Sequence, residues 1–250
     1  MSRNWRLGND VVDLASSRSR DKASHLRFLR KVFTPEEAEA IRSSPSPERT
    51  LWLLWAGKEA IFKSTTKVLG APPVFHHPDF RILFSPEELQ RLARETESLI
   101  SAPTLKGTGV YRGFHFAVRA HWAESHIHAL SWMGSPGDAE PEVCRGVVRD
   151  GGKATDLPES LRSRFSREEW SCVSHRASAL ARLEARRELA MALDTQEGRL
   201  EIRCGPGMPG RRVPLAYLDG APLPVDLTLS HDSSLLAWAF LKTPYLPQGR

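Results

Sequence analysis

An internal echo constrains this chain more than any other feature. Phe33-Thr-Pro-Glu-Glu37 is answered later by Phe165-Ser-Arg-Glu-Glu169. Both read as helix starts. Thr34 or Ser166 stands at the N-cap, and Glu37 or Glu169 three residues on completes a capping box. Pro35 falls at the first helical position, where its missing N–H costs nothing. A long helix follows each start, over residues 51–68 and 177–193. Inside them, Lys58-Glu59-Ala60 is echoed by Arg187-Glu188-Leu189. Each part opens with a short β-branched run, Asp10-Val-Val-Asp13 or Gly146-Val-Val148, and closes with an apolar strand at 127–132 or 234–240. Four matches in one order point to a repeated unit of strand, capped helix, long helix and strands.

Residues 134–142 (Gly-Ser-Pro-Gly-Asp-Ala-Glu-Pro-Glu) interrupt the pattern and read as a linker. The expected fold is therefore α+β, with two similar α/β halves over residues 1–133 and 143–250. Two copies of one unit can pack about a pseudo-twofold axis and leave a cleft between them, the expected place for a site. With 40% hydrophobic and 26% charged residues, the chain has the material for a core. No apolar run approaches the ~18 residues of a membrane span. The basic N-terminus is followed by no apolar stretch, so no signal peptide is expected. Cys144, Cys172 and Cys204 are far apart, which fits a reducing cytoplasm better than a disulfide framework. The formal charge of +5 favours an anionic partner. Its arginines are scattered rather than blocked, which gives nucleic acid no special support.

Three segments carry candidate chemistry. Leu7-Gly-Asn-Asp-Val-Val-Asp13 reads as a strand on which Asp10 and Val12 share one face and Asp13 takes the other. Asp10 suits a hard metal ion, although a solvated strand end is the plainer reading of that segment alone. In Leu51-Trp-Leu-Leu-Trp-Ala-Gly-Lys-Glu-Ala-Ile-Phe-Lys63, Glu59 and Lys63 are helix neighbours. So much of that helix is apolar that Glu59 needs a cation, supplied by Lys63 or by a metal. Val225-Asp-Leu-Thr-Leu-Ser-His-Asp-Ser-Ser234 is a strand ending in a polar turn, where Ser230 and His231 can meet an anion. Adjacent strand residues point to opposite faces, so this is no hydrolase triad. His126 and His128 share a strand face near His121 but lack a third zinc ligand at the usual spacing. His76-His77 reads as a loop. P-loop, G-x-G-x-x-G and H-E-x-x-H patterns are absent.

Taken together, Gly8-Asn9-Asp10, Trp55-Ala-Gly-Lys58-Glu59-Ala60-Ile-Phe-Lys63, Leu229-Ser230-His231 and the Phe33-Thr-Pro-Glu-Glu37 helix start resemble the 4′-phosphopantetheinyl transferase superfamily. The resemblance implies two similar α/β halves with the active site between them. It implies transfer of the phosphopantetheine arm of coenzyme A to a serine of an acidic acyl or peptidyl carrier protein, releasing adenosine 3′,5′-bisphosphate, with Mg²⁺ as cofactor. Carried over residue by residue, Asp10 and Glu59 bind the metal, and Glu59 also serves as base. Lys58 and Lys63 meet phosphate oxygens, and Ser230 and His231 contact the coenzyme A phosphates.

Two departures stand out. Val12 occupies the place where larger members carry a second acid, as in the short synthases, so water is expected to fill that coordination position. The acidic motifs precede the Ser-His pair, which is the order within one short synthase unit. One working site in a monomer is the expectation, and an inactive module that binds coenzyme A or a carrier is the alternative. Arg27, Arg30, Lys31, Arg211 and Arg212 are further candidates for the 3′-phosphate or the carrier, matched by the plainer reading of a solvated basic face.

Overall fold

The computed structural model describes residues 5–94, 104–134, 138–151, 159–205 and 213–241. The chain divides into two compact units, residues 1–139 and 140–250. Each is a five-stranded antiparallel sheet with helices, an α+β arrangement. Among the described residues, no helix is long and apolar enough to cross a membrane.

The first unit runs β1 (Gly8–Asp13), α1 (Leu26–Val32), α2 (Pro35–Ser43), α3 (Pro47–Leu69), β2 (Arg81–Phe84), α4 (Pro86–Arg94), β3 (Thr104–Tyr111), β4 (Phe114–Trp122) and β5 (His126–Met133). Its sheet order is β1-β5-β4-β3-β2. The capping box at Thr34 forms in full: Thr34 Oγ1 accepts from the Glu37 amide, and Glu37 Oε2 accepts from the Thr34 amide. Helix α3 is longer than the apolar pattern alone predicts. Pro47 starts it, and Gly70, at φ 70°, ends it in the left-handed conformation. Its apolar face, including Leu51, Ala60 and Ile61, packs in one core with Val12, Ile127 and Ala129 of β1 and β5. Burying a side chain such as Ile61 completely is worth about 1.5–3 kcal/mol.

Gly8 sets how closely β1 approaches α3. A Cβ there would lie 2.0 Å from the Ala60 carbonyl oxygen and 2.8 Å from the Ser64 amide nitrogen. Beside it, Ser64 Oγ bonds Ser131 Oγ at 2.6 Å, and Gly8 is the register partner of Ser131. The glycine of the Gly8-Asn9-Asp10 motif thus lets strand and helix backbones meet, and so fixes where Asp10 stands.

The second unit runs β6 (Val143–Arg149), α5 (Arg167–Trp170), α6 (Arg176–Ala192), β7 (Leu200–Cys204), β8 (Pro214–Leu218), β9 (Ala221–Asp232) and β10 (Leu235–Leu241). Its sheet order, β6-β10-β9-β8-β7, traces the same path as the first. Ala177, Ala181, Ala185 and Leu189 recur every four residues along α6 and form its buried stripe. Ser166 caps α5 by accepting from the Glu169 amide at 3.2 Å.

The echo in the sequence has a physical counterpart. In the first unit, Glu37 Oε1 accepts from the Ile82 amide on β2, and Glu37 pairs with Lys58 of α3. In the second, Glu169 Oε1 accepts from the Ile202 amide on β7, and Glu169 pairs with Arg186 of α6. Each buried acid ties a capped helix, a long helix and a sheet edge together. This corrects the register expected from the sequence by one residue: Arg186, not Arg187, does in α6 what Lys58 does in α3.

Candidate active site

Asp10 shares the inner face of β1 with Gly8 and Val12, so it points toward α3. Lys63 of that helix reaches back, donating to the Asn9 carbonyl at 2.7 Å and to Asp10 Oδ1 at 3.1 Å. Glu59 stands one turn earlier on the same helix face. Burial, and then the charge of Asp10, push its carboxyl up to about 7, against the opposing pull of Lys63. Asp10, Glu59 and Lys63 therefore form one corner with two carboxylates and one ammonium. Lys63, expected as a partner for Glu59 or for a phosphate, is hydrogen-bonded to β1.

The donor set fits a hard divalent cation. Burial, with the Asp10 charge second, holds the Glu59 carboxyl partly protonated near neutrality, and Mg²⁺ characteristically takes one or two carboxylates and completes its shell with phosphate oxygens and water. The described residues contain no cluster of three or more histidine, cysteine or acidic side chains that could hold a metal without such outside ligands.

Lys58 does not belong to this corner. It is fully buried. Its ammonium donates to Glu37 Oε1 at 2.8 Å, to the Phe80 carbonyl at 2.6 Å and to the His77 carbonyl at 3.2 Å. An ammonium has three N–H bonds, and all three are used inside the unit. The expectation that Lys58 meets phosphate oxygens is corrected on that ground: Lys58 is scaffold. Burial lowers its pKa, and Glu37 counters that shift.

A residue that read as loop lies beside the acids. The His77 ring packs against Phe75 and Trp55 at centroid distances of 4.2 and 4.7 Å. Its Nε2 has no hydrogen-bond partner and lies 3.8 Å from Glu59 Oε1. Burial first, then Lys58, Lys31 and His76, lower its pKa to about 4, so the ring is neutral at pH 7.

The remaining candidates of the first unit resolve into structural roles or surface. Asp13 accepts from the Ala15 amide and finishes β1 as a turn. His128 is buried and bonds Asn9 Nδ2 at 3.2 Å. His121 Nδ1 bonds Thr104 Oγ1, and His126 Nδ1 bonds Ser125 Oγ. Arg27, Arg30 and Lys31 are exposed on α1. Arg211 and Arg212 lie outside the described residues.

Ser230 and His231 end β9 in the second unit. Ser230 is buried and His231 exposed, as strand alternation requires. His231 meets His175 edge to face at 4.5 Å. His175 is the N-cap of α6, its Nδ1 accepting from the Ser178 amide, and burial followed by Arg182 lowers its pKa. His231, His175 and Ser178 line a cavity of about 410 Å³, whereas Ser230 faces the other side of β9 and is not on its wall. Arg182 supplies the cavity's cation. The guanidinium is buried and donates to Ser178 Oγ and to Cys204 Sγ, while its Nε has no partner. Neither His175 nor Arg182 was singled out from the sequence, because their meeting with His231 at the cavity is a tertiary contact with no motif spacing.

Comparison with known proteins follows the same geography. Residues 6–118, all in the first unit, match the model of the 4′-phosphopantetheinyl transferase superfamily. Over 82 residues the chain is 30% identical to the holo-[acyl-carrier-protein] synthase of Chlamydia felis (strain Fe/C-56). That match covers 33% of this chain and 66% of the relative, just under two thirds of its length.

Proposed function

We propose that this chain, whose first unit matches the 4′-phosphopantetheinyl transferase superfamily, carries out the matching reaction: the phosphopantetheine arm of coenzyme A is transferred to a carrier-protein serine. The observation that carries this reading is the corner of Asp10, Glu59 and Lys63, in which burial and then the Asp10 charge push the Glu59 carboxyl up to about 7. Such a corner is suited to a divalent cation, a diphosphate and the loss of a hydroxyl proton.

Asp10 and Glu59 are the residues that would hold Mg²⁺. Bound there, the ion would supply charge neutralisation to the diphosphate. Lys63 stands by to take a phosphate oxygen, and its present bonds to Asp10 and Asn9 keep the ammonium in place until then. The carrier's serine oxygen attacks the phosphorus that bears the pantetheine arm. The P–O bond to adenosine 3′,5′-bisphosphate breaks, and that group leaves with the bonding pair. Glu59, next to the incoming hydroxyl, is proposed as the base that takes its proton. His231, with Arg182 and His175 around the cavity of the second unit, is proposed to take coenzyme A phosphates, with Ser230 next to it in β9 as the further candidate. The nucleophile belongs to the partner, so the chain needs no activated serine or cysteine of its own.

Carrier proteins are acidic, and a net charge of +5 would speed their approach. We further read the two units as copies of one ancestral unit, on the shared sheet order and the paired Glu37–Lys58 and Glu169–Arg186 locks, acting as a monomer in the cytoplasm.

The test mixes the protein with coenzyme A, Mg²⁺ and a panel of apo carriers and weighs the carriers by mass spectrometry. A carrier heavier by one phosphopantetheine supports the reading. If coenzyme A binds tightly by calorimetry while every carrier keeps its mass, the chain is a binding module and the transfer is refuted.

A further inference from the structure

On the wall of the cavity in the second unit, two thiols meet. Cys172 sits in the turn that leaves α5, and Cys204 ends β7, 32 residues later. Cys172 Sγ accepts from the Cys204 amide nitrogen at 2.8 Å, which sets the Cys172 sulfur against the Cys204 residue itself. Both are free and partly exposed, and both line the cavity beside His231. Arg182 Nη2 lies 3.6 Å from Cys204 Sγ. Nothing in the transferase chemistry uses either sulfur.

We propose that Cys172 and Cys204 are a dithiol modification site that exchanges with low-molecular-weight disulfides and closes an internal disulfide on the cavity wall. In the first step the Cys172 thiolate, its proton released to solvent, attacks one sulfur of the small disulfide. One thiolate leaves with the bonding pair, and a mixed disulfide remains on Cys172. In the second step Cys204 gives up its proton, attacks the Cys172 sulfur and expels the other thiolate. Two protein thiols are oxidised, one small disulfide is reduced to two thiols, and no other oxidant is needed.

The geometry orders the two steps. The Cys204 thiol is pushed up to about 11, by burial first and by its hydrogen bond with Cys172 second. It is therefore the poorer initial nucleophile. Arg182, poised at its sulfur, favours ionisation once a mixed disulfide stands opposite. The Cys172 contacts to Ser171 and to the Glu168 carbonyl lie at the surface, where a small disulfide can approach. Closure pins the 171–175 turn to the end of β7, so the cavity wall would report the thiol state around it. The inference is independent of the proposed transfer reaction.

The experiment treats the reduced full-length protein with glutathione disulfide, quenches with acid, and reads intact mass and peptide linkage. Wild type should lose two hydrogens, keep no adduct, and yield a peptide pair joined through Cys172 and Cys204 that dithiothreitol separates. Cys204→Ser should stop at one glutathione adduct on Cys172. Cys172→Ser should form no internal link and gain adduct about tenfold more slowly. Serine keeps an acceptor for the Cys204 amide, and circular dichroism checks that both variants fold. Stable adducts on wild type with no linked peptide, or a link through Cys144, would overturn the proposal. A Cys172→Ser adduct that forms on Cys204 at the wild-type rate would overturn the order of attack.

Discussion

Replacing Glu59 with glutamine turns the crowded acid corner into a stability measurement. A glutamate carboxyl that titrates at 4.5 in an unfolded chain titrates at about 7 in the fold, because it is buried and faces Asp10. The folded state therefore holds that proton more tightly than the unfolded state does. Below pH 4.5 both states are protonated and the group is neutral toward stability. Between 4.5 and 7 the folded state binds more protons, so stability falls as pH rises, and above 7 the full penalty applies. At about 1.4 kcal/mol per pH unit, that penalty is about 3 kcal/mol. Glutamine cannot ionise, so Glu59→Gln should match wild type near pH 4.5 and exceed it by about 3 kcal/mol at pH 8. Urea or thermal denaturation of both proteins across this range measures it, with the difference between the curves cancelling every titration they share. Millimolar Mg²⁺ should close the gap at pH 8 by stabilising wild type alone, by about 2.7 kcal/mol at a hundred times its Kd. Parallel curves from pH 4.5 to 8, or equal Mg²⁺ stabilisation of both proteins, would refute the argument that Asp10 and Glu59 share a cation-seeking corner.

Other outcomes follow from single contacts. Lys58→Met leaves the buried Glu37 carboxylate without its cation and should cost about 3–5 kcal/mol by urea denaturation, and Arg186→Met should do the same to Glu169. Gly8→Ala forces a Cβ into the Ala60 carbonyl. It should lower stability by about 1–3 kcal/mol and weaken Mg²⁺ binding by displacing Asp10, both readable by calorimetry. His231→Ala removes an exposed ring, so the melting temperature should stay within a degree or two, while coenzyme A binds about tenfold more weakly if the cavity takes its phosphates.

How much of this was legible from the sequence varies from element to element. Helix α3 was read almost to its ends because its apolar residues carry the helical period over many turns, and Thr34 announced α2 through a box that depends on only four residues. By contrast, β2, β3, β4, β7 and β8 were not individually read. β2 has four residues, too few for alternation to register. β3 carries Gly107 and Gly109, which weaken a strand pattern in the sequence; a Cβ on Gly109 would come within 2.0 Å of Ile61 Cδ1. His77 was missed for a different reason. Its proximity to Glu59 arises where the chain returns after α3 and the ring wedges between Trp55 and Phe75, a tertiary coincidence with no periodic signature.

The adjacent residues Lys58 and Glu59 show where motif reading reaches its limit. Written in a line, Lys58-Glu59-Ala60 looks like one chemical unit, and both charges were assigned to the site, Lys58 to phosphate oxygens and Glu59 to the metal and the hydroxyl proton. A helix turns about 100° per residue, so neighbours in such a string face different surroundings. Glu59 looks toward Asp10 and His77, while Lys58 looks toward α2 and the Phe80 carbonyl. The second unit makes the distinction visible without any ligand. Arg186 keeps the lock to Glu169, but the next residue, in the place of Glu59, is Arg187. The architectural cation has a counterpart in both units, whereas the acid beside it occurs at the corresponding place only in the first. That division separates what holds the fold from what can do chemistry, and it locates the proposed acid corner in the first unit alone.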